Sequence, residues 1–133
     1  MAEPVSSLLR RSVEHLAEAV PASYRLMVDA LGSLVVALEV DGERFSLIGG
    51  DRLTVTDVSV PADVSIGTSR PVIVAVLDAE VSLQDAIDVG TVNVRGSLND
   101  VVRTHDTLRA YVHAAARAPA QAELIDALRA APT

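Results

Sequence analysis

The sequence predicts an α+β fold: a single, mostly antiparallel sheet of about five strands with helices packed on one face. Three patterns support this prediction. Apolar residues recur at helical spacing near both ends of the chain, whereas they alternate with other residues through its middle. The stretch 82–97 has the form of a helix, a glycine, a strand, a second glycine and a new helix start. The length of 133 residues fits one domain, spanning 1–133.

The first two elements are predicted to be helices. Pro4 suits the first turn of an amphipathic helix over residues 5–19. Its apolar positions follow 3.6-residue spacing: Val5, Leu8, Leu9, Val13, Leu16 and Val20. Pro21 then begins a second, short helix, which Gly32 ends.

The middle of the chain is predicted to form β-structure. Asp41-Gly42 is typical of a tight hairpin turn. A change of parity near Thr56-Asp57 indicates a bulge or a break in the third strand. The four strands predicted here are residues 34–40, 45–48, 53–60 and 62–66.

Residues 72–77 allow two interpretations. Their β-branched side chains favour a strand. The preceding Ser69-Arg70-Pro71 instead favours the start of a buried helix, because proline suits a first helical turn. A short apolar run does not distinguish between these structures, so both remain open.

The next elements have well-defined ends. Ser82 with Asp85 resembles a capping box at a helix start. Gly90 lies where a left-handed helix end is needed. After a short strand, Ser97 with Asp100 begins another helix.

The longest helix is predicted over residues 98–116, and a last helix over about 120–130 follows Pro119. The predicted inner stripe of the longest helix is Leu98, Val101, Val102, Leu108 and Val112.

Composition excludes several classes of function. A net charge of −7, with eleven arginines and no lysine, argues against a nucleic-acid-binding face or a polybasic membrane anchor. The absence of cysteine excludes disulfides and thiolate metal sites. No uncharged run reaches the ~20 residues of an integral membrane segment, and no signal peptide is evident. We therefore expect a cytoplasmic protein that needs no cofactor and no metal.

Candidate catalytic residues are few. His15, His105 and His113 lack metal-binding spacing, and no Walker, dinucleotide or nucleophile-elbow motif is present. His105 lies on the predicted inner stripe, so it is either a core histidine or a polar group that fixes a ligand in a cavity. The second interpretation predicts that His105→Ala changes ligand selectivity more than stability. Tyr111, on the flank of the same helix, is interpreted as a rim residue covering the core.

Successive motifs between residues 62 and 116 carry a family resemblance. They are the strand 62–66, which begins Ala-Asp, a short helix 83–89 with Ala86 at its middle, and an alternating strand between Gly90 and Gly96. With these motifs the chain resembles the sterol carrier protein 2 (SCP2) family of non-specific lipid-binding domains. The residues 78–80 replace a glycine usual in that family, and Arg95 is the single basic residue of its strand.

The resemblance implies a hydrophobic cavity between sheet and helices. The ligand would be an apolar small molecule or lipid, such as a fatty acid, an acyl-CoA or a sterol, bound and transferred without catalytic residues. The candidate ligand-binding residues are Val36, Leu38, Phe45, Val64, Val92, Val94, Val101, His105, Leu108 and Val112.

Two other functions remain open. One is a small isomerase or cyclase for an apolar substrate, with His105 as the acid/base and Asp57 or Asp63 orienting it. The other is an oligomerising accessory domain, for instance a homodimer, whose apolar helix faces form an interface.

Overall fold

The structure is a computed structural model that describes residues 4–58, 60–118 and 121–129. The elements in chain order are α1 (Val5–Ala19), α2 (Pro21–Leu31), β1 (Val35–Val40), β2 (Glu43–Ile48), β3 (Thr54–Thr56), β4 (Val64–Thr68), α3 (Arg70–Leu77), α4 (Leu83–Asp88), β5 (Asn93–Gly96), α5 (Leu98–Arg117) and α6 (Gln121–Arg129).

The five strands form one sheet in the order β3-β2-β1-β4-β5. The pair β1 and β4 is parallel, and the other three pairs are antiparallel. The sheet is thus mostly antiparallel, and the predicted α+β fold is confirmed. The hairpin between β1 and β2 is also confirmed, because Asp41 and Gly42 both have positive φ angles (52° and 87°), as a tight two-residue turn requires.

The strand register separates the two faces of the sheet. The aligned residues of one transverse row are Val55, Leu47, Val36 and Val64, all buried. The aligned residues of the next row, which point the opposite way, are Thr56, Ser46, Ala37, Ser65 and Arg95. The helices pack against the apolar face, and the hydrophobic core lies between them.

Residues 72–77 are helical, which resolves the ambiguity of the sequence. They belong to α3, where the side chain of Ser69 accepts a hydrogen bond from the Val72 N–H at 3.4 Å and Pro71 lies in the first turn. The serine cap and the proline therefore outweigh the local strand propensity of the β-branched side chains. The predicted caps Ser82 and Ser97 are confirmed, since they accept N–H bonds from residues 85 and 100 at 3.0 and 3.3 Å.

The third strand is shorter than the prediction of 53–60. It ends at Thr56, so the break near Thr56-Asp57 is confirmed, whereas Val58 is exposed. Residue 59 lies outside the described residues. The pairing of β3 with β2 runs from Thr54 to Thr56.

The inner face of α5 differs from the predicted stripe. Leu98 and Val102 are 81% and 49% exposed, so their assignment to the core was wrong. The buried residues of α5 are Thr104, Thr107, Ala114 and Ala115. The buried face of α5 thus carries small side chains, and the helix packs along α2.

Candidate functional site

A cavity of about 170 Å³ lies between the apolar face of the sheet and the helices. Strands β1, β2 and β4 and all six helices contribute to its wall. Most of the lining residues are aliphatic; Phe45 and Tyr111 are the aromatic residues among them, and the polar ones are uncharged. For comparison, an apolar protein cavity of about 150 Å³ stays dry and binds benzene-sized molecules.

Six of the ten candidate ligand-binding residues line this cavity, namely Val36, Leu38, Phe45, Val92, Leu108 and Val112. Their placement follows from strand parity and from the helix face of α5. The cavity wall does not include Val64, Val94, Val101 or His105. A role in ligand binding stays a prediction for all ten.

Close packing at Gly96 explains why two of these residues lie away from the cavity. A Cβ atom placed on Gly96 would lie 3.2 Å from Val64 Cγ2 and 3.5 Å from Val101 Cγ2. It would also lie 3.0 Å from the carbonyl oxygen of Asp63. The start of α5 therefore closes directly onto the end of β5, which leaves no space for a ligand at this corner.

His105 lies on the flank of α5, half-buried. Its Nε2 atom is buried and has no hydrogen-bond partner among the described residues. The carboxylate of Asp63 accepts a hydrogen bond from the Val35 N–H at 2.9 Å, and Asp57 is exposed. Neither carboxylate thus shows the contact with His105 that an acid–base pair would need.

A buried polar cluster, formed by Ser12, Tyr111, Gln121 and His15, joins α1, α5 and α6. The Ser12 hydroxyl lies 2.6 Å from the Tyr111 hydroxyl and 2.5 Å from Gln121 Oε1. The amide nitrogen of Gln121 lies 2.7 Å from His15 Nδ1 and 3.4 Å from the Ser12 carbonyl oxygen. Ser12 and Gln121 are each only 2% exposed, and with Tyr111 they line the cavity.

The sequence patterns described above do not predict this cluster, because they place Tyr111 at the rim and give Ser12 and Gln121 no role. A pattern was nevertheless present, because Ser12 occupies a position on the apolar stripe of α1 and Gln121 begins the stripe of α6. A polar residue at a core position of an amphipathic helix needs a buried partner, and this requirement points to a polar contact inside the fold.

Electrostatically, the cavity wall is neutral. None of the described residues that line it carries a formal charge. Burial raises the pKa of Tyr111 above its ordinary value of 10.0, so its phenol keeps its proton and can donate a hydrogen bond. Within the described residues, no group of three or more His, Cys, Asp or Glu side chains is placed to hold a metal ion. No helix in that part of the chain combines the length and hydropathy of a membrane span.

The sequence matches no protein-family model and none of the curated proteins. Solved structures do match. One is the UbiJ-SCP2 ubiquinone synthesis protein, with a TM-score of 0.61 and 20% identity over 80% of this chain and 95% of that chain. A second is sterol carrier protein 2 from Yarrowia lipolytica in its apo form, with a TM-score of 0.55 and 12% identity, over 80% and 88% of the two chains.

A third is the sterol carrier protein domain 2 of Helicoverpa armigera, with a TM-score of 0.55 and 15% identity over 77% and 87% of the two chains. Each of the three identities is too low to transfer a function, and the similarity concerns the fold. The chain thus has the fold of the sterol carrier protein 2 structures, as the resemblance of its motifs implies.

Proposed function

We propose that this protein binds an apolar small molecule in the cavity between its sheet and its helices and carries it through water. The observation that supports the proposal is the uncharged, mostly aliphatic wall of a cavity of about 170 Å³. Burial of a ligand contributes about 0.8 kcal/mol per methylene group, so binding does not depend on a specific polar contact.

The fold supports the same proposal. The similar structures include sterol carrier proteins, and one is a ubiquinone synthesis protein. Fatty acids, acyl-CoA molecules and sterols are the ligand classes that the family resemblance implies. The protein would take up such a ligand at one location and release it at another that binds the ligand more tightly, without chemically altering it.

Two alanines on α5 provide a matched test. Ala115 lines the cavity and is 8% exposed, whereas its neighbour Ala116 is exposed to solvent. In Ala115→Leu the added carbon atoms occupy the space of the ligand, whereas in Ala116→Leu they extend into water. Both substitutions exchange one strong helix former for another, so the helix itself is not perturbed.

Binding is measured with the uncharged fluorescent probe N-phenyl-1-naphthylamine, and native mass spectrometry detects any lipid that copurifies. We expect saturable uptake by the wild type, about tenfold weaker uptake by Ala115→Leu, and unchanged uptake by Ala116→Leu; tenfold corresponds to about 1.4 kcal/mol. The proposal fails if the wild type takes up no probe and carries no lipid, or if Ala115→Leu binds as the wild type does.

A further inference from the structure

The cavity wall disfavours an anionic ligand. No described lining residue carries a charge that could pair with a carboxylate or a phosphate. Burial of an ionised group without a partner is strongly unfavourable, because the group loses its hydration and gains nothing in exchange. A ligand that enters completely must therefore be neutral.

The three threonines of the wall have already used their hydroxyl protons. The hydroxyls of Thr104 and Thr107 donate to the carbonyl oxygens of residues 100 and 103, both at 2.8 Å. The Thr68 hydroxyl donates to the Thr91 carbonyl oxygen at 3.0 Å. These three side chains can offer a ligand no donor, and their oxygens can only accept. The other polar side chains of the wall belong to the buried polar cluster.

The orientation of the Gln121 amide sets the direction of hydrogen bonding in this cluster. The Ser12 carbonyl oxygen is only an acceptor, so it must face the amide nitrogen of Gln121, 3.4 Å away. That nitrogen also donates to His15 Nδ1 at 2.7 Å. Gln121 Oε1 consequently faces the Ser12 hydroxyl and accepts its proton at 2.5 Å.

The same proton count identifies the donor in the contact between the Ser12 and Tyr111 hydroxyls. A serine hydroxyl has one proton, and that of Ser12 is engaged with Gln121. The contact of 2.6 Å between the two hydroxyls therefore requires Tyr111 to donate to Ser12. Every proton that this cluster could direct at the cavity is in use, and what remains free at its surface is oxygen lone pairs.

We infer that the ligand is an uncharged molecule with an apolar body and a hydroxyl group, and that Ser12, Tyr111 and Gln121 form the subsite that accepts a hydrogen bond from this hydroxyl. The inference rests on the proposed function and narrows its ligand class. Ketones, aldehydes and esters bring only acceptors to a subsite that has only acceptors to offer, and carboxylates add an unpaired charge.

Two ligands with the same carbon skeleton isolate the effect of the hydroxyl. The secondary alcohol 2-undecanol and the ketone 2-undecanone each compete with N-phenyl-1-naphthylamine for binding to the protein. Undecanoate at about pH 8, well above the carboxyl pKa, is the charged comparison. We expect the wild type to bind the alcohol about tenfold more tightly than the ketone, which is the effect of one hydrogen bond. Undecanoate should bind more weakly than the alcohol.

Ser12→Ala tests the direction of donation. It removes the acceptor of the Tyr111 proton, so the phenol becomes free to donate to a ketone, and the alcohol-to-ketone ratio should fall severalfold. Ser7→Ala makes the same substitution on the same helix at a residue outside the cavity wall and should leave the ratio unchanged.

The inference is overturned if the wild type binds the ketone or undecanoate as tightly as the alcohol, or if Ser12→Ala leaves the ratio unchanged. If Ser12→Ala does not fold, the wild-type ratio alone decides whether the ligand class is right. Failure of the proposed function is a different result, because no apolar probe would then bind at all.

Discussion

The carboxylate of Glu43 caps the first helix, accepting a hydrogen bond from the Val5 N–H at 2.7 Å. Its second oxygen accepts one from the Ser6 N–H at 2.9 Å. Pro4, at the N-cap position of α1, supplies no side-chain cap of its own. The first residue of β2 thus satisfies backbone donors that α1 would otherwise leave open, and the negative charge suits a helix N-terminus. This contact fixes α1, and with it Ser12, over the sheet.

The first prediction concerns the acid stability of this cap. Burial acts to raise the pKa of Glu43, but the hydrogen bonds from Ser6 and Val5 and the charge of Arg70 outweigh it, so the pKa lies below its ordinary value of 4.5. Because the pKa of Glu43 is lower in the folded state than in the unfolded state, its ionisation stabilises the fold at any pH above the unfolded-state pKa. This stabilisation is lost as the pH falls through the folded-state pKa. Glu43→Gln should therefore be less stable than the wild type at neutral pH, with a difference that shrinks below about pH 4.5.

Urea unfolding across this pH range measures the effect. Glu39→Gln is the control, because Glu39 forms an exposed ion pair with Arg44 that contributes little. If the free energies of unfolding of Glu43→Gln and the wild type differ by the same amount at every pH, the ionisation of Glu43 does not contribute to the stability of the fold.

The second prediction concerns two glycines, Gly49 directly after β2 and Gly67 within β4. A Cβ atom on Gly49 would overlap the carbonyl oxygen of Gly32 and lie 3.1 Å from that of Leu34. Both obstacles are backbone atoms, so the chain itself must move. Gly49→Ala should lower the free energy of unfolding by about 1–3 kcal/mol. Gly67→Ala, where a Cβ atom meets nothing within 4 Å, should stay within about 1 kcal/mol of the wild type.

Chemical denaturation compares the two variants directly. Equal losses of stability would contradict the close approach of the backbone at Gly49.

The third prediction concerns the ionisation of Tyr111. The chain has only two tyrosines, so Tyr24→Phe leaves Tyr111 as the single phenol. Because burial raises the pKa of Tyr111, its phenolate absorbance should develop with a midpoint above pH 10.0 while the protein is folded. The protonated phenol of Tyr111 stabilises the fold at any pH below the unfolded-state pKa. This stabilisation is lost as the pH rises through the folded-state pKa. A midpoint at or below 10.0 would place the hydroxyl in water and remove it from the buried polar cluster.

Local chemistry made much of the fold predictable from the sequence. The serine caps at Ser82 and Ser97 and the turn at Asp41-Gly42 involve residues close together in the chain, and all three are confirmed. Local patterns do not, however, predict that Leu98 is exposed. The orientation of α5 depends on α2 and on the closure at residue 96, neither of which is visible in the apolar spacing of α5 itself.

The residues of the candidate site also form two groups, one predictable from local sequence patterns and one that depends on tertiary packing. Strand parity places Val36, Leu38 and Phe45 on the cavity side, which needs only alternation along a strand. The buried polar cluster, in contrast, cannot be predicted from a local pattern. Ser12 lies 99 and 109 residues from its partners Tyr111 and Gln121, so only the packing of three helices brings them together.

The last prediction concerns His105, which the sequence analysis offered as a ligand contact. Its Nε2 atom is buried without a hydrogen-bond partner among the described residues, and such an atom costs about 1–3 kcal/mol. His105→Leu removes the unpartnered nitrogen, so we expect the free energy of unfolding to rise by about 1 kcal/mol and the melting temperature by about 3 °C. His113→Leu, at an exposed position on the same helix, should change it by less than about 0.5 kcal/mol. Probe binding by His105→Leu should equal that of the wild type, because His105 does not line the cavity. A changed alcohol-to-ketone ratio with an unchanged melting temperature would instead favour a role for His105 in ligand binding.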